Sequence, residues 1–105
     1  MATISGVTVV LPSLNPDEKL MKTVEGLIKV GFEDIVLIND GSDEEHTKNF
    51  PDTDKYPECT VINHWINRGK GAGLKTAFAY IKKMRPDCVG VVTAVLNLPL
   101  FALAG

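Results

Sequence analysis

The chain has 105 residues and a formal net charge of −2, and 45% of its residues are hydrophobic. This length fits one domain, and the weakly acidic balance gives no electrostatic basis for binding nucleic acid or an anionic membrane surface. Cys59 and Cys88 are too far apart for a CxxC metal or redox motif, and we expect both to be small buried or half-buried side chains. The N-terminus lacks the basic and apolar regions of a signal peptide, so we predict a cytoplasmic protein.

The first predicted elements are a strand and a helix. The run GVTVVLP, residues 6–12, predicts a short β-strand that Pro12 ends. A helix should follow, with Asn15 as its N-cap and Glu18 three residues later completing a capping box. The apolar residues then recur on one helical face, and Gly31 is expected to end the helix.

The middle of the chain repeats this order. The apolar run DIVLIND, residues 34–40, has the length of a buried parallel strand. Ser42 and Glu45 form a second capping box, which predicts a short helix through about Phe50. The stretch PDTDKYPE, residues 51–58, is a loop by composition.

The last predicted elements complete an α/β pattern. CTVINH, residues 59–64, predicts a third strand, and CVGVVTA, residues 88–94, predicts a fourth. Between them lies a helix whose apolar face is formed by Leu74, Ala77, Phe78, Ile81 and Met84. Strands that alternate with helices predict a three-layer, doubly wound, Rossmann-like α/β fold with a mainly parallel sheet.

Two common phosphate-binding signatures fail on spacing. The segment GKGAGL, residues 69–74, has Leu74 where a dinucleotide fingerprint needs its third glycine. A P-loop would need a glycine at the position of His64. The glycine-rich segment therefore belongs to neither class.

Four segments in order resemble family 2 glycosyltransferases with the GT-A fold, nearest to the dolichyl-phosphate mannose synthase-like branch. They are VVLPSLNP, IVLINDGSDEE, NRGKGAGLKTAFAYI and VVTA, and the resemblance covers about residues 6–94. It implies that residues 1–94 are the nucleotide-sugar-binding half of a GT-A domain, with four mainly parallel strands in the order 3-2-1-4. It also implies a parent activity, transfer of a sugar from a nucleotide-diphosphate donor to a lipid-phosphate or glycan acceptor.

The resemblance assigns nucleoside binding to the ends of the first two strands. Asp40, at the end of the second strand, matches an aspartate that contacts the nucleoside, and Gly41 permits the tight turn after it. Alternatively, Asp40 bonds only the backbone of its own turn, and both roles can coexist. Pro12, Ser13 and Leu14 match a loop that runs along the nucleoside, or they form a simple strand exit.

The resemblance assigns diphosphate binding to the start of the third helix. Lys70 matches the lysine of a G-K-G motif, and Arg68 is the second candidate, because cations at a helix N-terminus suit an anionic ligand. The alternative is a solvated basic turn whose glycines permit close approach of helix and sheet. His64 and Trp65 are expected to pack at the strand end and not to act in catalysis.

The end of the chain departs from the family pattern. From Cys88 onward there is no charged residue, although the resemblance predicts a D-x-D motif directly after Ala94. Val95 and Asn97 stand where those aspartates would bind Mg²⁺ or Mn²⁺. We therefore expect the complete parent enzyme to use Mg²⁺ or Mn²⁺, and this chain to bind no metal tightly, to contain no catalytic residue and to be inactive alone.

We interpret residues 95–105 as an apolar tail that replaces the expected D-x-D segment in a truncated form of a longer transferase. The tail is expected to cover apolar surface, either on its own sheet or in self-association with a second copy of the chain. A membrane span is not expected, because Asn97 and Pro99 interrupt the run. The alternative function is a non-catalytic nucleotide-binding or interaction module of doubly wound topology.

Overall fold

A computed structural model describes residues 5–64 and 70–93, without the side chains of residues 70 and 71. Strands and helices alternate in the predicted order. They are β1 (Val7–Ser13), α1 (Lys19–Val30), β2 (Ile35–Asp40), α2 (Glu44–Thr47), β3 (Cys59–His64), α3 (Lys70–Met84) and β4 (Gly90–Thr93).

The four strands form one parallel sheet in the spatial order β3-β2-β1-β4, as predicted. The order reverses at β1, because β2 and β3 extend to one side of it and β4 lies on the other. In open α/β sheets, ligands bind at the carboxyl ends of the strands near such a reversal. The topology is that of a Rossmann-like α/β fold, consistent with the GT-A architecture, and it places the loops after β1 and β2 at the expected binding edge.

Apolar side chains fill both faces of the sheet. Every residue of β2 is buried, which explains why its sequence is a continuous apolar run and does not alternate. Because successive strand residues point to opposite faces, one core cluster lies on the α1 side and the other on the α3 side. The α1-side cluster contains Val9, Leu11, Leu20, Val24, Leu27, Ile35, Leu37 and Cys59, and the α3-side cluster contains Val10, Val36, Ile38, Ala77 and Ile81.

Helix α1 begins later than predicted. Its first residue is Lys19 and its N-cap is Glu18, which makes no side-chain capping bond, so the capping box of Asn15 and Glu18 is wrong. The carboxylate of Asp17 instead accepts the Lys19 N–H at 2.9 Å. The predicted end is confirmed, because Gly31 has a φ of 120° and its N–H donates to the carbonyl oxygens of Leu27 and Ile28.

Helix α2 is also capped one residue later than predicted. Asp43, not Ser42, is the N-cap, and its carboxylate accepts the His46 N–H. The helix itself covers only Glu44–Thr47, and turns continue from there toward Phe50. The predicted loop at 51–58 is confirmed.

Smaller differences concern β1 and α3. Strand β1 continues through Pro12 to Ser13, so the proline does not end it. On α3, Ala77 and Ile81 are buried as predicted, but Phe78 and Met84 are 45% and 50% exposed. The apolar face of α3 is therefore narrower than its sequence pattern suggests.

Some of the remaining predictions can be compared with the structure, and others concern residues that it does not describe. Cys59 is buried, Cys88 is half-buried, and both are free thiols. Within residues 5–64 and 70–93, no helix is long and apolar enough to cross a membrane. The predictions for Trp65, Arg68 and the tail at 95–105 fall outside the described residues.

Candidate functional site

The loops that follow β1 and β2 are joined by hydrogen bonds. The Asn15 N–H donates to Ser42 Oγ at 2.8 Å, and the Asp43 N–H donates to Asn15 Oδ1 at 2.9 Å. Asn15 has a φ of 48°, in the left-handed region that asparagine tolerates better than most residues. Its side chain and backbone thus connect two loops, which explains why it does not cap α1.

Asn39 organises the turn after β2. Its Oδ1 accepts the Ser42 N–H at 3.0 Å, and its Nδ2 donates to Asn63 Oδ1 on β3 at 3.0 Å. Gly41, which lies between Asn39 and Ser42 in the chain, has a φ of 81°, a conformation that favours glycine. Asn39, which was not among the predicted site residues, therefore makes a side-chain bond to this turn.

Asp40 belongs to a second polar group on the other face of the sheet. Its Oδ1 lies 3.1 Å from Nδ1 of His64, and Nε2 of the same ring lies 2.8 Å from Oγ1 of Thr76. Thr76 in turn donates to the Ala72 carbonyl oxygen at 3.0 Å. Asp40 as a whole residue is only 6% exposed. His64 is therefore a polar link between β2 and α3 and not simply a packing residue.

The predicted nucleoside-binding residues divide between the two faces. Pro12 and Asp40 lie on the α3 side of the sheet, because each comes two residues after an α3-side core residue of its own strand. Ser13 comes two residues after an α1-side core residue, so it lies on the α1 side. Ser13 is 7% exposed, and its hydroxyl has no hydrogen-bond partner in the described part of the chain. Leu14 is 48% exposed. The structure thus brings Pro12 and Asp40 to one face, with Ser13 on the other.

Helix α3 presents its N-terminal end to this edge of the sheet. A Cβ on Gly73, in the first turn, would lie 3.5 Å from Ile38 Cγ2 and 3.8 Å from Pro12 Cβ. Lys70 is the first residue of the helix, where the partial positive charge of the helix dipole is largest. The predicted nucleoside and diphosphate segments therefore meet at one edge.

No metal site is formed by the residues that the structure describes. Among 5–64 and 70–93, no group of three His, Cys, Asp or Glu side chains is close enough to hold an ion. Asp43 accepts the His46 N–H at 2.9 Å, and this bond lowers the pKa of its carboxyl group. Val95 and Asn97, the positions compared with the D-x-D motif, lie outside the described residues, so we assign no chemical step to a metal.

A cavity of about 320 Å³ lies at the opposite, amino-terminal edge of the sheet. Its polar lining includes Thr8, Asp34, Arg85 and Cys88. Asp34 accepts hydrogen bonds from Thr8 Oγ1 at 2.7 Å and from Arg85 Nε at 3.2 Å. These groups satisfy one another, so we read this cluster as a structural contact between the sheet and the end of α3.

The predicted site did not include Asn39, Asn63 or Thr76. The register of the strands contains the signal that was missed, because Asn39 pairs with Asn63 and Asp40 pairs with His64. Polar residues in register at the carboxyl ends of adjacent parallel strands lie side by side on the same faces. Aligning the ends of the second and third apolar runs would therefore have indicated both pairs.

Comparisons with known proteins identify the family. The protein-family model described as Glycosyl transferase family 2 matches residues 8–92, from β1 into β4. The chain is 30% identical over 82 residues to an uncharacterized protein of Methanocaldococcus jannaschii, MJ1222, and the match covers 74% of this chain but 32% of that protein. No solved structure matches the chain significantly. Because the family model covers most of the described fold, this chain belongs to glycosyltransferase family 2.

Proposed function

We propose that this chain binds the nucleoside diphosphate of a nucleotide-sugar donor at the carboxyl-terminal edge of its sheet. The parent activity would be transfer of the sugar to a lipid-phosphate or glycan acceptor, as in the dolichyl-phosphate mannose synthase-like branch. Membership of glycosyltransferase family 2 supports the sugar-transfer part of this proposal. The chain spans about a third of the length of the relative MJ1222, so acceptor and donor sugar are part of the proposal.

The observation that carries the proposal is the placement of Asp40. Its carboxylate is almost fully buried at the end of β2 and is bonded to His64. A carboxylate accepts hydrogen bonds, and a nucleoside offers base N–H groups and ribose hydroxyls as donors. Gly41, directly after it, permits the turn that directs the chain away from the strand end.

The start of α3 would bind the diphosphate. Its first turn packs beside Pro12 and Ile38, so the positive end of the helix dipole is directed to the same edge as Asp40. Backbone N–H groups at a helix N-terminus bind phosphate readily. Lys70, and Arg68 just before the helix, would add positive charge to this interaction.

Sugar transfer is proposed for the parent enzyme and not for the 105-residue chain alone. Metal-bound carboxylates stabilise a diphosphate leaving group, and the complete parent is expected to use Mg²⁺ or Mn²⁺ for this purpose. Here Val95 and Asn97 replace the expected aspartates. Added metal should therefore improve nucleotide binding only slightly.

Nuclear magnetic resonance titration tests the binding proposal. We expect uridine or guanosine diphosphate to shift the amide signals of residues 11–14 and 40–42, with an affinity in the high micromolar range or weaker. Asp40→Asn should remove the response, because the neutral amide replaces the charged acceptor. Asp43→Asn is the matched control: it removes the same charge from the loop that follows Asp40 while keeping a capping side chain. Equal responses in both variants, or shifts confined to the chain termini, would refute the assignment.

A transfer assay tests the statement about activity. We expect the purified chain to release no sugar from a nucleotide-sugar donor to a lipid-phosphate acceptor, with or without Mn²⁺. Measurable, metal-dependent transfer would show that other acids in the chain bind the metal.

A further inference from the structure

The Asp40, His64 and Thr76 side chains connect three elements of the fold at the proposed site. Asp40 is on β2, His64 is its register partner on β3, and Thr76 lies on α3. The His64 and Asp40 side chains are only 10% and 9% exposed. The imidazole is thus enclosed between a carboxylate and a helix, with each ring nitrogen engaged.

The number of available hydrogens determines which group donates in each of these bonds. Thr76 has one hydroxyl hydrogen, and the Ala72 carbonyl oxygen 3.0 Å away can only accept it. When that bond is made, the hydroxyl accepts from Nε2 of His64. The ionised Asp40 carboxylate can likewise only accept from Nδ1. With Nδ1 protonated, the ring donates to Asp40 while its Nε2 contacts the Thr76 hydroxyl, so one imidazole engages both side chains.

From this geometry we propose that His64 is a positioning residue for nucleotide binding. Its Nδ1 fixes the orientation of the Asp40 carboxylate, and its Nε2 connects that carboxylate through Thr76 to the helix whose first residue is Lys70. The nucleoside-binding carboxylate and the diphosphate-binding helix are thereby held in one fixed relation. This inference rests on the function proposed above, because it concerns how the same site is preorganised.

Two substitutions of His64 remove its hydrogen bonds to Thr76 and to Asp40 one at a time. In His64→Asn the amide nitrogen stands near the position of Nδ1, so the donor to Asp40 is kept and the bond to Thr76 is lost. In His64→Gln the amide nitrogen stands near Nε2, so the bond to Thr76 is kept and the donor to Asp40 is lost. We expect His64→Gln to raise the Kd for uridine or guanosine diphosphate about tenfold, and His64→Asn to raise it about twofold.

A second pair of variants addresses Thr76 and does not depend on the folding of the His64 variants. Thr76→Ser keeps the hydroxyl, whereas Thr76→Val keeps the shape and removes it. We expect Thr76→Val to raise the Kd about threefold and Thr76→Ser to leave it unchanged, because only the former breaks the link to α3. Equal Kd values for wild type, Thr76→Val and His64→Gln would overturn the proposal.

A measurement without nucleotide separates this inference from the proposed function. We expect the side-chain carboxyl ¹³C resonance of Asp40 to move in His64→Gln and to stay near the wild-type value in His64→Asn. That result supports positioning even if the wild-type chain binds no nucleotide, an outcome that would refute the proposed function alone. An Asp40 resonance unchanged in both variants would refute the positioning role, whatever the chain binds.

Discussion

The two edges of the sheet each contain an aspartate of low exposure, but the aspartates have different partners. At the amino-terminal edge, Asp34 accepts from Thr8 at 2.7 Å and from Arg85 at 3.2 Å. At the carboxyl-terminal edge, Asp40 faces His64 at 3.1 Å. One carboxylate is thus paired with a guanidinium and the other with an imidazole.

This difference indicates a division of roles. Arginine stays protonated at any physiological pH, so Arg85 gives Asp34 a permanent counter-charge. This ion pair connects the end of α3 to the sheet. The partner of Asp40 is instead the His64 imidazole, whose Nδ1 lies 3.1 Å from the carboxylate oxygen and can orient it. The carboxyl-terminal edge also contains the glycine turn at Gly41 and the start of α3. We infer that Asp34 serves stability and Asp40 serves recognition.

The largest effect on stability is expected from Thr8→Val at the amino-terminal edge. Thr8 is 2% exposed, and its hydroxyl donates to a charged acceptor, so removing it should lower the free energy of unfolding by about 1–2 kcal/mol. Chemical denaturation measures the change, and Thr60→Val on β3 controls for valine in a strand. A loss no larger than that of the control would mean that the Thr8–Asp34 bond contributes little.

A large effect on reactivity is expected at Cys59, the first residue of β3. Burial, together with the nearby Glu58 carboxylate, raises the pKa of this thiol from 9.0 to about 11. We expect iodoacetamide to modify half-buried Cys88 well before Cys59 at pH 8, as read by mass spectrometry of the digested protein. Rapid modification of Cys59 in the native protein would contradict this account.

The raised pKa of Cys59 also means that the folded state favours the neutral thiol. The free energy of unfolding should therefore fall as the pH rises from 9.0 toward 11.

The smallest effect is expected from Gly73→Ala at the carboxyl-terminal edge. The added Cβ would meet Ile38 and Pro12 at ordinary contact distances of 3.5 and 3.8 Å. Because alanine favours a helix by about 1 kcal/mol over glycine, the free energy of unfolding should stay unchanged or rise by up to that amount. Gly73→Val, with further methyl groups in the same space, should lower it. A clear loss in the alanine variant would mean that α3 tolerates no side chain there.

The fold could be predicted from sequence because its main signals are local. Continuous apolar runs marked the strands, and Gly31 marked the end of α1. The helix starts were misplaced because Asn15 forms its bonds with Ser42 and Asp43, residues far along the chain. A capping pattern describes only neighbouring residues, so it cannot detect a competing partner on another loop.

The positions of the candidate site residues in the fold were predicted in part for the same reason. Asp40 and Gly41 follow an apolar run directly, so their position at a strand end was visible in the sequence. The role of His64 depends on the register between β2 and β3 and on the distance of α3 from the sheet. The separation of Ser13 from Asp40 likewise depends on which face each strand end presents. These are tertiary relations that a single strand pattern does not fix.

The most direct test compares the two aspartates in one experiment. Nucleoside diphosphate affinity and free energy of unfolding would be measured for Asp34→Asn and Asp40→Asn beside the wild-type chain. We predict that Asp40→Asn loses at least about tenfold in affinity with the smaller loss of stability, and that Asp34→Asn loses stability by about 1–2 kcal/mol but keeps wild-type affinity in its folded form. Wild-type affinity in Asp40→Asn, or an equal loss of affinity in both variants, would contradict the division of roles between the two edges.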